Sequence, residues 1–195
     1  MSSTEAFKES ERKSHKLQIF KKLFICSEFL RAIDSRVSDE EIRPSVADPG
    51  EVLFRDARFV VKELQLSSAY SPRNAINEIS SYVLQRSIAD LSEEYAVVEM
   101  TMDEVVQSLA RKLDFLSRPH PVSSRRNQDL LLRIELRNCR LLRGAQKPAL
   151  TIFQAMGWRS ISIIVDRLVV NIYSSERSPA WLHKNTSRLF ATPKP

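Results

Sequence analysis

The chain has 195 residues, of which 43% are hydrophobic and 28% charged, and its formal net charge at pH 7 is +6. These values are typical of a soluble globular protein, and the length fits one domain. Only three glycines occur, which argues against glycine-rich phosphate loops and dinucleotide-binding turns. No apolar run reaches the length of a membrane span and the N-terminus MSSTEAFKESERK is polar, so we expect a cytoplasmic protein without a membrane partner.

Cysteines and histidines are too few and too scattered to predict a metal or redox site. Cys26 and Cys139 are isolated, without a CxxC pair, so we predict that both are buried apolar residues outside any disulfide. His15, His120 and His183 show no HxH or HExxH spacing, which argues against a zinc enzyme.

Charge is divided unequally along the chain. Residues 1–110 contain 14 Lys and Arg against 19 Asp and Glu, a net of −5, whereas residues 111–195 contain 16 against 5, a net of +11. The basic part is mostly arginine, whose guanidinium donates forked hydrogen bonds to phosphate oxygens. This pattern favours nucleic acid as a partner. It equally allows the arginines to pair with carboxylates of the acidic part inside the fold.

The first predicted elements are a long helix and a hairpin. Residues 1–34 have apolar residues at the three-and-four spacing of an amphipathic helix. Residues 38–50 form an acidic connection with two prolines and room for a short strand. Two β-prone runs, Glu51–Arg55 and Phe59–Leu64, then flank a short polar break and predict a hairpin.

The middle of the chain is predicted to be helical. Residues 71–84 begin with a Ser-Pro helix start, and residues 95–98 are typical of a short strand. Thr101 and Glu104 form a capping box that opens another helix, which the prolines at 119 and 121 end. We predict a loop over residues 117–128.

The last third of the chain is predicted to contain strands and two short helices. Residues 130–137 alternate in polarity like a strand, residues 149–156 fit a short helix, and residues 158–165 and 168–173 fit a second hairpin. A final short helix is predicted over residues 179–184. We therefore predict one α/β domain of mixed α+β type over residues 1–195, with a helix over 1–34, a core over 35–190 and a loose tail over 191–195.

Charged side chains converge at the first hairpin. Glu51 begins its first strand and Lys62 lies on its second, where strand alternation places Val60 and Lys62 on one face. A metal-dependent nuclease needs acidic ligands for Mg²⁺ and a lysine that stabilises charge or positions the attacking water. Glu51 and Lys62 match two of these roles. The alternative is a surface cross-strand pair worth at most about 1 kcal/mol.

Three segments of the chain resemble a bacterial family of unknown function described as putative endonucleases of the PD-(D/E)XK superfamily. They are GEVLFRDARFVV (Gly50–Val61), GWRSISII (Gly157–Ile164) and SPAWL (Ser178–Leu182). The resemblance spans about Gly50–Asn185. It implies a restriction-endonuclease-like three-layer core, in which a mixed central sheet is flanked by helices and the acidic residues sit on an antiparallel strand pair.

The resemblance also implies a degraded metal site. The Pro-Asp of the motif falls on Gly50-Glu51 and its (D/E)xK falls on Val60-Val61-Lys62, so Glu51 and Lys62 are the implied catalytic residues and the second acid is absent at Val60. For Mg²⁺ the candidate ligands are Glu51 with Glu40, Glu41 or Asp48 from the acidic connection, or with Glu63 after a one-residue bulge.

We expect nucleic acid, DNA in particular, to contact the basic part of the chain. The candidate residues are Arg125, Arg126, Arg133, Arg137 and Arg159. Trp158 beside Arg159 is either a stacking platform for a base or a core aromatic, and the core is favoured.

Three functions follow from these observations. The leading one is a nucleic-acid-binding protein with a PD-(D/E)XK-like fold and a degraded metal site. The second is an active Mg²⁺-dependent nuclease that uses Glu51, Lys62 and an acid of the connection. The third is a non-catalytic protein-interaction or regulatory module, whose acidic and basic parts serve docking or self-association into a homo-oligomer.

Overall fold

The computed structural model describes residues 3–48, 50–67, 98–137, 139–142 and 151–192. Its helices are α1 (Ser3–Ile33), α2 (Met102–Ser117), α3 (Val122–Arg125), α4 (Thr151–Gln154) and α5 (Ala180–Lys184), with a 3-10 turn at Asp39–Glu41. Its strands are β1 (Ile42–Pro44), β2 (Glu51–Phe54), β3 (Ala57–Ser67), β4 (Val98–Met100), β5 (Asp129–Arg137), β6 (Cys139–Leu141), β7 (Ser160–Val165), β8 (Leu168–Ser174) and β9 (Leu189–Ala191).

Seven of these strands form one mixed sheet in the order β1-β2-β3-β5-β7-β8-β9. β3, β5 and β7 run parallel at its centre. The β1–β2–β3 and β7–β8–β9 segments add antiparallel strands on either side. β4 and β6 form a separate parallel pair. The predicted mixed α/β architecture with a mixed central sheet is confirmed.

Each face of the sheet carries its own hydrophobic core, because alternate residues of a strand point to opposite faces. α1 packs Ile25, Phe29 and Leu30 into the core that contains Val61. α2 packs its own apolar residues into the core on the other face, which contains Val60. The central strand β5 is buried on both sides, as expected for parallel strands covered by helices. The helices and the sheet therefore form three layers.

Most of the predicted elements in the described ranges are confirmed. α1 matches the predicted first helix, and both hairpins form. The first hairpin turns at Arg55-Asp56, slightly earlier than predicted, because Arg55 adopts a left-handed conformation with φ of 52°. The capping box is present, since the Glu104 amide donates to Thr101 Oγ1 at 3.2 Å and the Thr101 amide donates to Glu104 Oε2 at 2.7 Å. Both cysteines are buried, as predicted.

Other features differ from the sequence-based expectation. The predicted loop over 117–128 contains the last residue of α2 and the short helix α3, and β6 and β9 were not predicted. The predicted helix over 71–84 lies outside the described residues, as does the predicted strand over 95–98 except for Val98, which begins β4. No helix in the described ranges is long and apolar enough to cross a membrane.

Candidate functional site

Glu51 and Lys62 lie on the same face of the sheet. Glu51, the first residue of β2, pairs with Val60 of β3, and Lys62 is two residues further along β3. Val60 is 4% exposed and belongs to the core beneath α2, so this face points toward α2 and the loop that follows it. Glu51 is buried, at 2% exposure, and Lys62 is half-buried.

Both carboxylate oxygens of Glu51 accept hydrogen bonds from protein donors. Arg58 Nη2 donates to Glu51 Oε2 at 2.9 Å, and Gln128 Nε2 donates to Glu51 Oε1. Arg58 comes from the same hairpin, and Gln128 comes from the residues that lead into β5. The charge of Glu51 is thus balanced by a guanidinium, as a buried carboxylate requires.

Lys22 of α1 brings a further positive charge to the start of β2. Its Nζ donates to the Gly50 carbonyl at 3.4 Å. Burial lowers the pKa of Lys22, the charge of Lys62 lowers it further, and Asp48 opposes the change. Two lysines therefore repel each other at this position, which is typical of a site with an excess of positive charge.

His120, on the loop after α2, faces the same group of charges. Its pKa is lowered by burial first and then by Lys62 and Arg125, while Asp48 and Glu51 act in the opposite direction. The ring of His120 also packs 5.4 Å from that of Trp158. We call this set the edge cluster, consisting of Lys22, Asp48, Glu51, Arg58, Lys62, His120 and Arg125.

The donor set of the edge cluster does not fit a divalent cation. Mg²⁺ requires several oxygen ligands in near-octahedral geometry. The oxygens of Glu51 are occupied as described, Val60 supplies none, and Asp48 Oδ1 accepts the Gly50 amide at 2.7 Å. Within the described ranges, no group of three or more His, Cys, Asp or Glu side chains is placed to hold a metal ion.

Glu41, another candidate ligand, is not brought to the site. It precedes β1, whose Ile42 pairs with Phe54 at the far end of β2. Phe54 is three strand residues, or about 10 Å, from Glu51, and Glu41 lies beyond that point. Its carboxylate instead accepts Arg55 Nε at 3.4 Å and the Ser38 amide at 3.2 Å. The predicted ligand set of Glu51, Glu41 and Asp48 is therefore not assembled.

The candidate arginines are placed in different environments. Arg133 forms a 2.6 Å ion pair with Glu28 of α1, and Arg159 is only 14% exposed and pairs with Asp129. The Arg133–Glu28 pair joins the basic and acidic parts of the chain, which is the alternative that the charge pattern allowed. Arg126 is exposed. The side chain of Arg137 lies outside the described residues.

Arg125, a member of the edge cluster, is half-buried. Its Nη1 donates to the Met156 carbonyl. Its Nε is buried, as is Gln128 Oε1, and neither atom has a hydrogen-bond partner in the described part of the structure. Since most buried polar atoms are paired, this region has hydrogen-bonding capacity that the described residues do not satisfy.

Asp129 is a residue near this site that the sequence reasoning did not single out, as are Lys22, Arg58 and His120 of the edge cluster. It is fully buried and accepts the Arg58 amide at 3.0 Å, Arg159 Nε at 3.1 Å and Ser160 Oγ at 2.7 Å. These bonds join the N-terminal ends of β3, β5 and β7. The available signal was an isolated acid directly before an apolar strand.

A family model described as "Putative endonuclease, protein of unknown function (DUF1780)" matches residues 5–193. The chain belongs to the DUF1780 family. A search of curated proteins found no match. The DUF1780 chain is similar to a solved structure of a protein of unknown function from Pseudomonas aeruginosa strain PAO1, which is described as belonging to the monooxygenase superfamily. The two sequences are 17% identical, the TM-score is 0.67, and the match covers 99% of this chain and 97% of that chain. Similarity at this identity shows a shared fold alone.

Proposed function

We propose that the chain is a nucleic-acid-binding protein with a PD-(D/E)XK-like core and a degraded metal site. The observation that carries this proposal is the state of Glu51, whose two oxygens are held by Arg58 and Gln128. Val60, where the motif has its second acid, is an apolar core residue. Loss of a carboxylate ligand leaves a hard cation without the oxygens it needs.

The arrangement of elements supports a restriction-endonuclease-like core. α1 packs on one face of the sheet, and the antiparallel β2–β3 pair carries Glu51 and Lys62. β3 then continues into the parallel centre of the sheet beside β5. The description of the family as a putative endonuclease supports a relationship to endonucleases.

The electrostatics of the edge cluster support phosphate binding. The cluster has two carboxylates and four cationic side chains, Lys22, Arg58, Lys62 and Arg125. Burial is the largest cause of the lowered pKa of Lys22 and of His120, and neighbouring cations lower both pKa values further. A phosphate placed here would relieve this repulsion and would release counterions from the nucleic acid. In this role Lys62 contacts the phosphate backbone.

The proposal is tested by the salt dependence of DNA binding. Fluorescence anisotropy with a labelled duplex should show an affinity that falls linearly with salt on a log–log scale, with a slope of about −0.9 per neutralised phosphate. The double variant Lys22→Gln/Lys62→Gln should bind more weakly and flatten the slope by about 1 to 2.

The matched control is Arg36→Ala/Arg167→Ala, which removes the same charge from exposed positions away from the edge cluster. It should keep the steep slope. Absence of binding at low salt, or equal slopes for the two double variants, would overturn the proposal.

A further inference from the structure

We infer that a second groove of this chain binds a single-stranded segment of nucleic acid, an inference that rests on the proposed function. The groove lies beside α3 and beyond the end of β8, has a volume of about 880 Å³, and is lined by residues that include Arg126, Trp158, Tyr173, Arg177 and His183. We call it the basic groove. It shares none of its lining residues with the edge cluster.

The basic groove has guanidinium groups available for phosphates. Arg126 and Arg177 are exposed, and neither forms an ion pair with another residue in the described ranges. Arg159 also lines the groove, but Asp129 already balances its charge. Among the described residues that line the groove, two available arginines therefore stand against one carboxylate, that of Glu176. Arginine donates forked hydrogen bonds to phosphate oxygens.

The groove also offers an aromatic surface for a base. Tyr173 is half-buried on its wall, and burial raises the pKa of the phenol, which keeps it neutral. Trp158 is part of the core, since it is 2% exposed and its Nε1 donates to Ser117 Oγ at 2.9 Å. Of these two rings, that of Tyr173 is thus the accessible one. Stacking on an aromatic ring next to cationic side chains holds single strands with little sequence preference.

The size of the basic groove favours a single strand over a duplex. Its volume is in the range of pockets that enclose small ligands, which is enough for a few nucleotides. Duplex recognition instead uses about 1,000–2,500 Å² of protein surface, which the fourteen described residues that line the groove are too few to supply. The occupant we propose is therefore a short unpaired stretch.

Chain connectivity links the basic groove to the edge cluster. Arg125 belongs to the edge cluster and Arg126, the next residue, lines the groove. α3 packs closely on Gly157, which has a φ of 75° and where an added Cβ would lie 3.3 Å from Val122 Cγ1. A nucleic acid held at the edge cluster can thus extend an unpaired end past α3 into the groove.

The inference is tested with a labelled short oligothymidylate and a labelled blunt duplex, measured by anisotropy at one fixed salt concentration. Arg126→Ala/Arg177→Ala should raise the Kd for oligothymidylate about tenfold or more. The control Arg36→Ala/Arg167→Ala, which removes the same charge, should change it less than about twofold. Tyr173→Leu should weaken oligothymidylate binding and Tyr173→Phe should preserve it, because only the ring is needed.

The duplex probe separates this inference from the proposed function. If neither probe binds the wild-type protein, both proposals fail. A different result refutes only the inference about the basic groove. In that case the duplex binds the wild-type protein and loses affinity in Lys22→Gln/Lys62→Gln, so the proposed function stands. Oligothymidylate, however, binds Arg126→Ala/Arg177→Ala as tightly as it binds the control.

Discussion

Replacing Asp129 with Asn tests whether this buried carboxylate holds together the strands beneath the site. Asp129 is 0% exposed and pairs with Arg159, which is 14% exposed. It also accepts hydrogen bonds from Ser160 Oγ at 2.7 Å and from the Arg58 amide at 3.0 Å. The Asn side chain has the same shape as that of Asp but carries no charge. Its NH₂ group would also face one of these donors, so that two hydrogen-bond donors would point at each other.

The expected loss is large because the change removes the counter-charge of the largely buried Arg159 guanidinium, which among the described residues keeps only the Asp56 carbonyl as a neutral acceptor besides the substituted side chain. Removing one partner of a buried pair costs about 3–5 kcal/mol. A chain of this size loses about 2–4 °C of melting temperature per kcal/mol, so the expected decrease is about 6–20 °C. Typical native stabilities of about 5–15 kcal/mol leave the variant able to fold.

Guanidinium chloride unfolding followed by circular dichroism measures this loss directly. Glu176→Gln is the control, because it removes one negative charge at an exposed position and should change the free energy of unfolding by less than about 0.5 kcal/mol. If Asp129→Asn lost less than about 1 kcal/mol, the assignment of Asp129 as a buried, charge-paired junction would be refuted.

Two further predictions concern the capping box and the loop histidine. Thr101→Ala should lower the free energy of unfolding by about 1 kcal/mol, because the Glu104 amide loses its acceptor. Thr101→Ser keeps a hydroxyl and should retain most of this stability. A loss in Thr101→Ala no larger than the loss in Thr101→Ser would contradict the capping role. The lowered pKa of His120 means that the unfolded chain takes up this proton more readily than the folded chain, so stability falls as the pH drops below the ordinary histidine value of about 6.5. Thermal melts should therefore show that His120→Gln loses less stability than wild type between about pH 7.5 and about pH 5.5; an equal loss in both proteins would contradict the assignment.

Local sequence signals predicted the parts of the fold that depend on neighbouring residues. The capping box at Thr101 acts within one helical turn, and the polar break after Arg55 acts within one hairpin. Strand alternation also placed Val60 and Lys62 on one face. These features need no knowledge of distant contacts, because backbone geometry determines which side chains are adjacent.

The remaining features depend on contacts between distant parts of the chain. Gln128 reaches Glu51 across 77 positions and Arg133 reaches Glu28 across 105, and no spacing rule connects such residues. The sequence showed that arginines are abundant but did not show which ones are paired. β9 has only three residues, Leu-Phe-Ala, and all three are apolar, so its sequence lacks the polar–apolar alternation that identifies a strand.

The most direct test of the central claim is a cleavage assay under conditions in which the protein has been shown to bind DNA. Supercoiled plasmid and single-stranded DNA are incubated with saturating protein and either Mg²⁺ or Mn²⁺. We predict binding without cleavage, because Arg58 and Gln128 hold both oxygens of Glu51 and Val60 provides no ligand. Metal-dependent cleavage by the wild-type protein that disappears in Glu51→Ala would contradict the account.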